Sequence, residues 1–162
     1  MALREEINPE YPMSLNREAL ISIIKTSSML LRLSDRFFAQ FGTTDIQFNI
    51  LMLLKNVSSE GLSQQELSEQ MVVTKSNIVG LIDRMEKQDL VKRKAHPTDR
   101  RFNQIVITQK GKKLLEKVEP HYYQEVDRMM AALNLSEKKI LMEATAKVRE
   151  YLKENRRNGH KE

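Results

Sequence analysis

The stretch Lys92–Thr108, KRKAHPTDRRFNQIVIT, decides how this chain is read. Five basic residues, Lys92, Arg93, Lys94, Arg100 and Arg101, surround a turn that contains Pro97. A run with a period of two follows at once. Phe102, Gln104, Val106 and Thr108 share one side, and Asn103, Ile105 and Ile107 the other. A solvated loop could carry such charges with no strand behind it. Leu90–Ala95 and Asn103–Thr108 are therefore expected to pair as a β-hairpin with a basic tip. The strands hold the turn, and its cations can be aimed at phosphates or into a minor groove.

The residues before the hairpin give it a context. Ser63-Gln64-Gln65-Glu66 fits a capping box, with Leu62 placed as a hydrophobic staple toward Leu67. It opens a short helix ending near Met71. Thr74 can cap the next helix, to about Gln88, after a short turn at Val72–Val73. Two short helices so close together have helix-turn-helix spacing, and a hairpin attached to the second is a wing. On the second helix Ile78, Leu81, Ile82 and Met85 follow the i, i+3, i+4, i+7 pattern of a buried face. The opposite side shows Ser76, Gly80, Asp83 and Lys87, flanked by Asn77, Val79 and Arg84. A helix entering a major groove would look like this, with short donors first, no bulk at Gly80 and a cation further on; an ordinary surface helix is the alternative. A glycine inside a helix costs roughly 1 kcal/mol against alanine, which close approach by a partner would explain.

Outward from this centre the chain is helical. Residues 1–14 read as an extended arm. Leu15–Phe41 has no Gly or Pro; Ile24, Leu31 and Phe38, and also Ile23, Leu30 and Phe37, recur at seven-residue spacing. Such a stripe is wider than one intramolecular neighbour needs. Thr44-Asp45-Ile46-Gln47 fits another capping box, with Gln47 reaching back, and its helix runs to about Lys55. Thr108 can cap a helix to about Leu133, where Pro120 should introduce a bend. Ser136 is expected to cap the last helix, whose apolar face holds Leu141, Ala144, Val148, Tyr151 and Leu152. The tail 153–162 is expected to be polar and frayed. Met29, Met52, Met129, Met130 and Met142 fall on apolar helical faces and are expected to pack in the core.

Composition limits the function classes. The chain has 162 residues, 40% of them hydrophobic, with a net charge of +5 and no cysteine. Residues 74–101 hold eight Lys and Arg against four acids, so +4 of the excess lies in this segment. A polyanion partner is the natural reading. The absence of cysteine excludes disulfides, thiolate-bound zinc and thiol redox sensing, and suits a cytoplasmic protein. No apolar run reaches the ~18 residues of a membrane span. His96, His121 and His160 have no metal-building spacing, so neither a metal nor a cofactor is expected. No nucleophile–His–carboxylate grouping or Gly-rich phosphate loop is present, which argues against an enzyme.

Taken together, these residues resemble the MarR family (multiple antibiotic resistance regulator) of winged helix-turn-helix transcription factors. The resemblance covers about residues 18–152. It is densest from Leu62-Ser63-Gln64-Gln65-Glu66-Leu67-Ser68 to Ile107-Thr108-Gln109-Lys110-Gly111. Between these lie Asn77–Glu86, NIVGLIDRME, and Pro97-Thr98-Asp99-Arg100-Arg101, with Thr seven and Gly ten residues after the second Arg. His96 stands where many members carry Asp. The resemblance implies a mainly α fold with a small β-hairpin wing, and a homodimer formed by the N- and C-terminal helices. The expected organisation is an arm at 1–14, dimerisation helices at 15–41 and 109–152, a DNA-binding domain at 42–108 and a tail at 153–162.

The resemblance also implies roles. Ser76, Asn77, Gly80 and Arg84 would contact bases or backbone, joined by Thr74 and Lys75 at the helix start and by Ser63 as a phosphate contact. Arg93, Arg100 and Arg101 belong to the wing cations. Arg100 and Arg101 should point in opposite directions, one to DNA and one to the body, and either order fits the sequence. Asp83 and Asp99 would hold these two arginines. Ile24, Leu31, Val148, Tyr151 and Leu152 would line the dimer interface. The implied function is a cytoplasmic dimeric regulator, in the first instance a repressor. It would bind a pseudo-palindromic duplex through helix 74–88 and wing 91–108, and a small anionic or aromatic effector would release it. The competing reading is a winged-helix protein–protein module that binds an acidic partner without sequence-specific DNA recognition.

Overall fold

The computed structural model describes residues 14–57, 61–71, 75–95 and 103–158, with residues 75, 76 and 156–158 described as backbone only. Among these residues there are six helices and three strands: α1 Leu15–Ala39, α2 Asp45–Lys55, β1 Leu62–Ser63, α3 Gln64–Gln70, α4 Lys75–Lys87, β2 Val91–Ala95, β3 Asn103–Ile107, α5 Gln109–Met130 and α6 Leu135–Asn158. This is the mainly helical, winged helix-turn-helix architecture expected from the sequence. Residues fall into two compact units, Met1–Val118 and Glu119–Glu162.

The first unit holds the core. Phe48, Ile50, Leu51 and Leu54 of α2, Leu67 of α3, Ile78, Leu81, Ile82 and Met85 of α4, Ile105 of β3, and Leu115 and Val118 of α5 are buried. Phe38 is the buried residue of α1, and its ring lies 5.0 Å from that of Phe48. Burial of this kind contributes roughly 1.5–3 kcal/mol per large side chain, and it orders the helices around the sheet.

The sheet has the order β1-β3-β2, all antiparallel. The hairpin was expected; β1 was not. Two residues are too few to show a period, so Leu62 and Ser63 carry no strand signal of their own. They pair with Ile105 and Gln104. Gly61, just before, has a φ of +84° and lies under β3, where a Cβ would stand 2.2 Å from the Ile105 carbonyl oxygen. Only glycine meets both conditions.

Helix ends follow the capping chemistry, with two corrections. Ser63 makes the full capping box: its hydroxyl accepts from the Glu66 N–H at 3.1 Å and Glu66 Oε2 accepts from the Ser63 N–H at 2.7 Å. Thr44 accepts from the Gln47 N–H, but the Gln47 side chain does not reach back. It is buried, accepts from the Thr43 hydroxyl at 3.1 Å and donates to Gln88 Oε1 at 2.9 Å. A tertiary partner on the end of α4 has replaced the local one. The last helix is capped by Asn134, not Ser136: Asn134 Oδ1 accepts from the Glu137 N–H at 3.0 Å, and Glu137 returns the bond to the Asn134 N–H at 2.8 Å.

Helix α5 ends at Met130, short of Leu133, and continues through Pro120. Helix α6 runs to Asn158, so the expected frayed tail is helical as far as that residue. Met29 and Met142 are exposed at 64% and 68%, against the core placement expected for them; among the described residues Met85 is the fully buried methionine. Ile24, Leu31, Val148, Tyr151 and Leu152 are also exposed within the chain.

Candidate nucleic-acid interface

Helix α4 sorts its residues as the 3.6-residue period requires. Ile78, Leu81, Ile82 and Met85 are each 4% exposed or less, while Asn77, Val79, Gly80, Asp83, Arg84 and Lys87 face solvent. Four apolar anchors fix the rotation of the helix, and so fix which side chains are offered outward. Nothing lies within 4 Å of where a Cβ would project from Gly80, so that part of the surface is open. Arg84 and Lys87 make no ion pair among the described residues. Lys75 and Ser76 lie in the first turn of α4, and their side chains are not described; Thr74 lies outside the described residues, as do Asp99, Arg100 and Arg101.

The end of α4 is tied down by several groups. Gln88 is its cap and Asp89 follows with φ 58°, the left-handed conformation. The Asp89 N–H donates to the Glu86 carbonyl and the Leu90 N–H to the Met85 carbonyl, both at 2.9 Å. This is a Schellman closure, with Leu90 and Met85 as its buried apolar pair. Lys110 Nζ donates to the Gln88 carbonyl at 2.7 Å, which places a cation at the negative end of the helix dipole. Thr108 Oγ1 donates to the Asp89 carbonyl at 2.6 Å and accepts from the Gly111 N–H at 3.0 Å, capping α5 while it ties down the turn.

The wing leaves this turn directly. On β2, Val91 and Arg93 share the face of Ile107 and Ile105, whereas Lys92 and Lys94 stand opposite Val106 and Gln104 on the other. The Arg93 guanidinium donates to Asp83 Oδ1 at 2.6 Å and to Glu86 Oε2, and Glu86 Oε1 accepts from the Arg93 backbone N–H at 2.9 Å. Burial works against this charge, but the bonds and charges of Asp83 and Glu86 outweigh it, and the Arg93 pKa is raised above the ordinary guanidinium value.

The guanidinium of Arg93, expected among the DNA-contacting wing cations, is engaged by two carboxylates of α4 and holds the wing strand. Asp83 is engaged with this arginine. Glu86 had not been singled out; its position one turn after Asp83 on the same side of α4 was the available signal. Ser63, a candidate phosphate contact, spends its oxygen lone pair on the α3 cap, and its O–H is still a donor.

A short helix capped by Ser63, a second helix with one buried and one offered face, and a clamped hairpin define a winged helix-turn-helix protein. Comparisons with known proteins agree. The model of the MarR family matches residues 41–101. The HTH-type transcriptional repressor YetL of Bacillus subtilis (strain 168) is 31% identical over 121 residues, 75% of this chain and 72% of that protein. The chain belongs to the MarR family of winged helix-turn-helix transcriptional regulators, a family of DNA-binding proteins rather than enzymes.

Solved structures show the same fold. AbsC, a MarR family regulator from Streptomyces coelicolor, superposes with a TM-score of 0.81 at 24% identity, covering 88% of this chain and 98% of that one. MepR of S. aureus, solved as a DNA complex, gives 0.72 at 22% identity, covering 82% and 94%. CouR from Rhodococcus jostii RHA1, solved with p-coumaroyl-CoA bound, gives 0.72 at 21% identity, covering 85% and 95%. Among the described residues no helix is long and apolar enough to cross a membrane, and no cluster of three or more His, Asp or Glu could hold a metal.

Proposed function

We propose that the protein is a cytoplasmic, homodimeric repressor that binds a pseudo-palindromic duplex through α4 and the wing and is released by a small effector. The observation that carries this is the outward face of α4. Asn77, Gly80 and Arg84 are exposed on a helix whose rotation and C-terminal end are both fixed. Asn77 offers an amide suited to an adenine edge, and Arg84 a cation for phosphate or guanine. Gly80 permits the groove floor to approach. Lys75, Ser76 and Thr74 extend this surface to the helix start, Ser63 reaches a phosphate, and Arg100 and Arg101 carry the wing's charge into the neighbouring groove. Arg93, Asp83 and Asp99 aim the wing.

Repression is supported by the relative YetL, whose name describes a repressor, and an effector by CouR, which holds one. Dimerisation is supported by the exposed apolar faces of α1 and of α6. They call for a partner surface larger than their own unit supplies. Selection of duplexes from a random pool tests the proposal. Paired half-sites about one helical turn apart, roughly 34–36 Å, are expected. Recovery of single, unpaired half-sites, or of no preferred sequence, would overturn it, the latter in favour of a protein-binding winged helix.

A further inference from the structure

Helix α4 offers one apolar side chain to solvent. Among the described residues of 42–118, Val79 is the only large hydrophobic residue that is exposed, at 43%. The other large exposed hydrophobics lie on α1, on α6 and in the second half of α5. Neither packing nor propensity explains a valine here. Ile78, Leu81, Ile82 and Met85 already fill the buried face of α4, and a β-branched residue is a poorer helix former than alanine.

Its position on the helix is informative. Asn77 and Arg84, seven apart, lie along one edge of the outward face, and Val79, Asp83 and Glu86 lie along the other. Gly80 lies between the two edges, and nothing stands within 4 Å of where its Cβ would project. Asp83 and Glu86 hold Arg93 of β2, so the edge that carries Val79 is the one toward the wing. A polar edge and an apolar edge thus flank an open strip of backbone.

The major groove displays one apolar group, the 5-methyl of thymine, among base edges that are otherwise donors and acceptors. Valine can neither donate to nor accept from those edges, but it can cover a methyl group. In a helix it is held largely to one χ1 rotamer, so its two methyls are placed before any partner arrives and little freedom is lost on contact. We infer that Val79 is a specificity-determining residue that reads the 5-methyl group of a thymine on the wing side of each half-site. Asn77 and Arg84 meet polar groups on the other side. This rests on the DNA-binding function proposed above and gives that function a defined base preference, thymine over cytosine at one position.

The test begins with the site that the wild-type full chain selects from a random duplex pool. Each thymine of that site is replaced in turn by deoxyuridine, symmetrically in both half-sites. Deoxyuridine pairs as thymine does and lacks only the 5-methyl group. Loss of one buried methyl changes an equilibrium by about four-fold, hence about fifteen-fold for two half-sites. At least one thymine position should show this loss with wild type. Val79→Ala should bind the thymine duplex more weakly by a similar factor and be indifferent to deoxyuridine at that position, whereas Asn77→Ala should keep the deoxyuridine loss. Alanine favours the helix, and the melting temperature of each variant is checked against wild type. A selected site at which no deoxyuridine weakens binding, or a deoxyuridine loss that persists in Val79→Ala, overturns the role of Val79 and leaves the DNA-binding reading standing. A selection that returns no preferred sequence overturns both.

Discussion

Gly111 lies against the carbonyl oxygen of Leu90 so closely that a Cβ there would stand 2.2 Å from it, and 2.9 Å from Ile107 Cγ1. The start of α5 is thereby seated on the turn between α4 and β2. Gly80, on the outward face of α4, has nothing within 4 Å. The two glycines should respond in opposite ways. Gly111→Ala should lose about 1–3 kcal/mol, because backbone must move to admit the methyl group. Gly80→Ala should gain up to about 1 kcal/mol from helix propensity and yet weaken duplex binding. Urea unfolding and DNA titration of both variants check this. A Gly80→Ala protein that binds DNA as well as wild type would remove the close approach assigned to that position.

Arg93→Ala should cost about 1 kcal/mol, the upper end for a partly exposed ion pair. Lysine should not restore it, since one ammonium cannot span Asp83 and Glu86 as the planar fork does. The pKa of Arg93 is raised in the folded state. Its stabilisation is therefore complete below the ordinary guanidinium value and is lost only as pH rises through the raised one. The difference in melting temperature between wild type and Arg93→Ala should accordingly stay constant from about pH 7 to pH 10.

Reading and positioning separate on DNA. Arg84→Ala should lower the salt slope of duplex binding by about one unit and weaken all sequences alike. Asn77→Ala should relax one base position, at a cost of about 1–3 kcal/mol there. Arg93→Ala should weaken binding with little change in slope. A full-unit loss of slope for Arg93→Ala would return that residue to the phosphate contacts.

Leu31→Asp places a charge on the exposed apolar stripe of α1, and Val148→Asp does the same on α6. Either variant should run as a monomer or aggregate, and wild type is expected to run as a dimer in light scattering at micromolar concentration. Wild type running as a compact monomer would defeat the dimer.

Asp89→Gly should stabilise by about 0.5–1 kcal/mol, since glycine takes the left-handed conformation without the penalty of a Cβ. An unchanged or lower unfolding midpoint would show that the Asp89 side chain compensates for its backbone.

Much of this was readable in the sequence, for reasons that can be named. The buried set on α4 shows as period 3.6, the wing strand as period two, and the cap of α3 as Ser63 and Glu66 three apart. These signals are local. What stayed hidden depends on residues distant in the chain. Gln47 meets Gln88 across 41 positions, and no pattern around either announces it. Arg93 looked like any wing cation until Asp83 and Glu86 were found beside it. Gly111 stood out by its spacing from Arg101, but its reason, the Leu90 carbonyl, is tertiary. Asn134 rather than Ser136 caps α6 because Glu137, three residues on, closes the reciprocal bond, and that signal is local.

The chain turns from α4 into β2 through Gln88, Asp89 and Leu90, with Lys110 and Gln47 holding Gln88 and the Thr108 hydroxyl held to the Asp89 and Leu90 carbonyls. That makes the turn a fulcrum. Beyond it β2 is an arm of about 16 Å, five residues at about 3.3 Å each. A rotation of about 10° at the fulcrum sweeps the far end of such an arm through about 3 Å, a hydrogen bond's length. Small torsional error at Asp89 would therefore misplace the wing tip by a whole contact, and the dense bracing around one left-handed residue keeps that gearing from slipping.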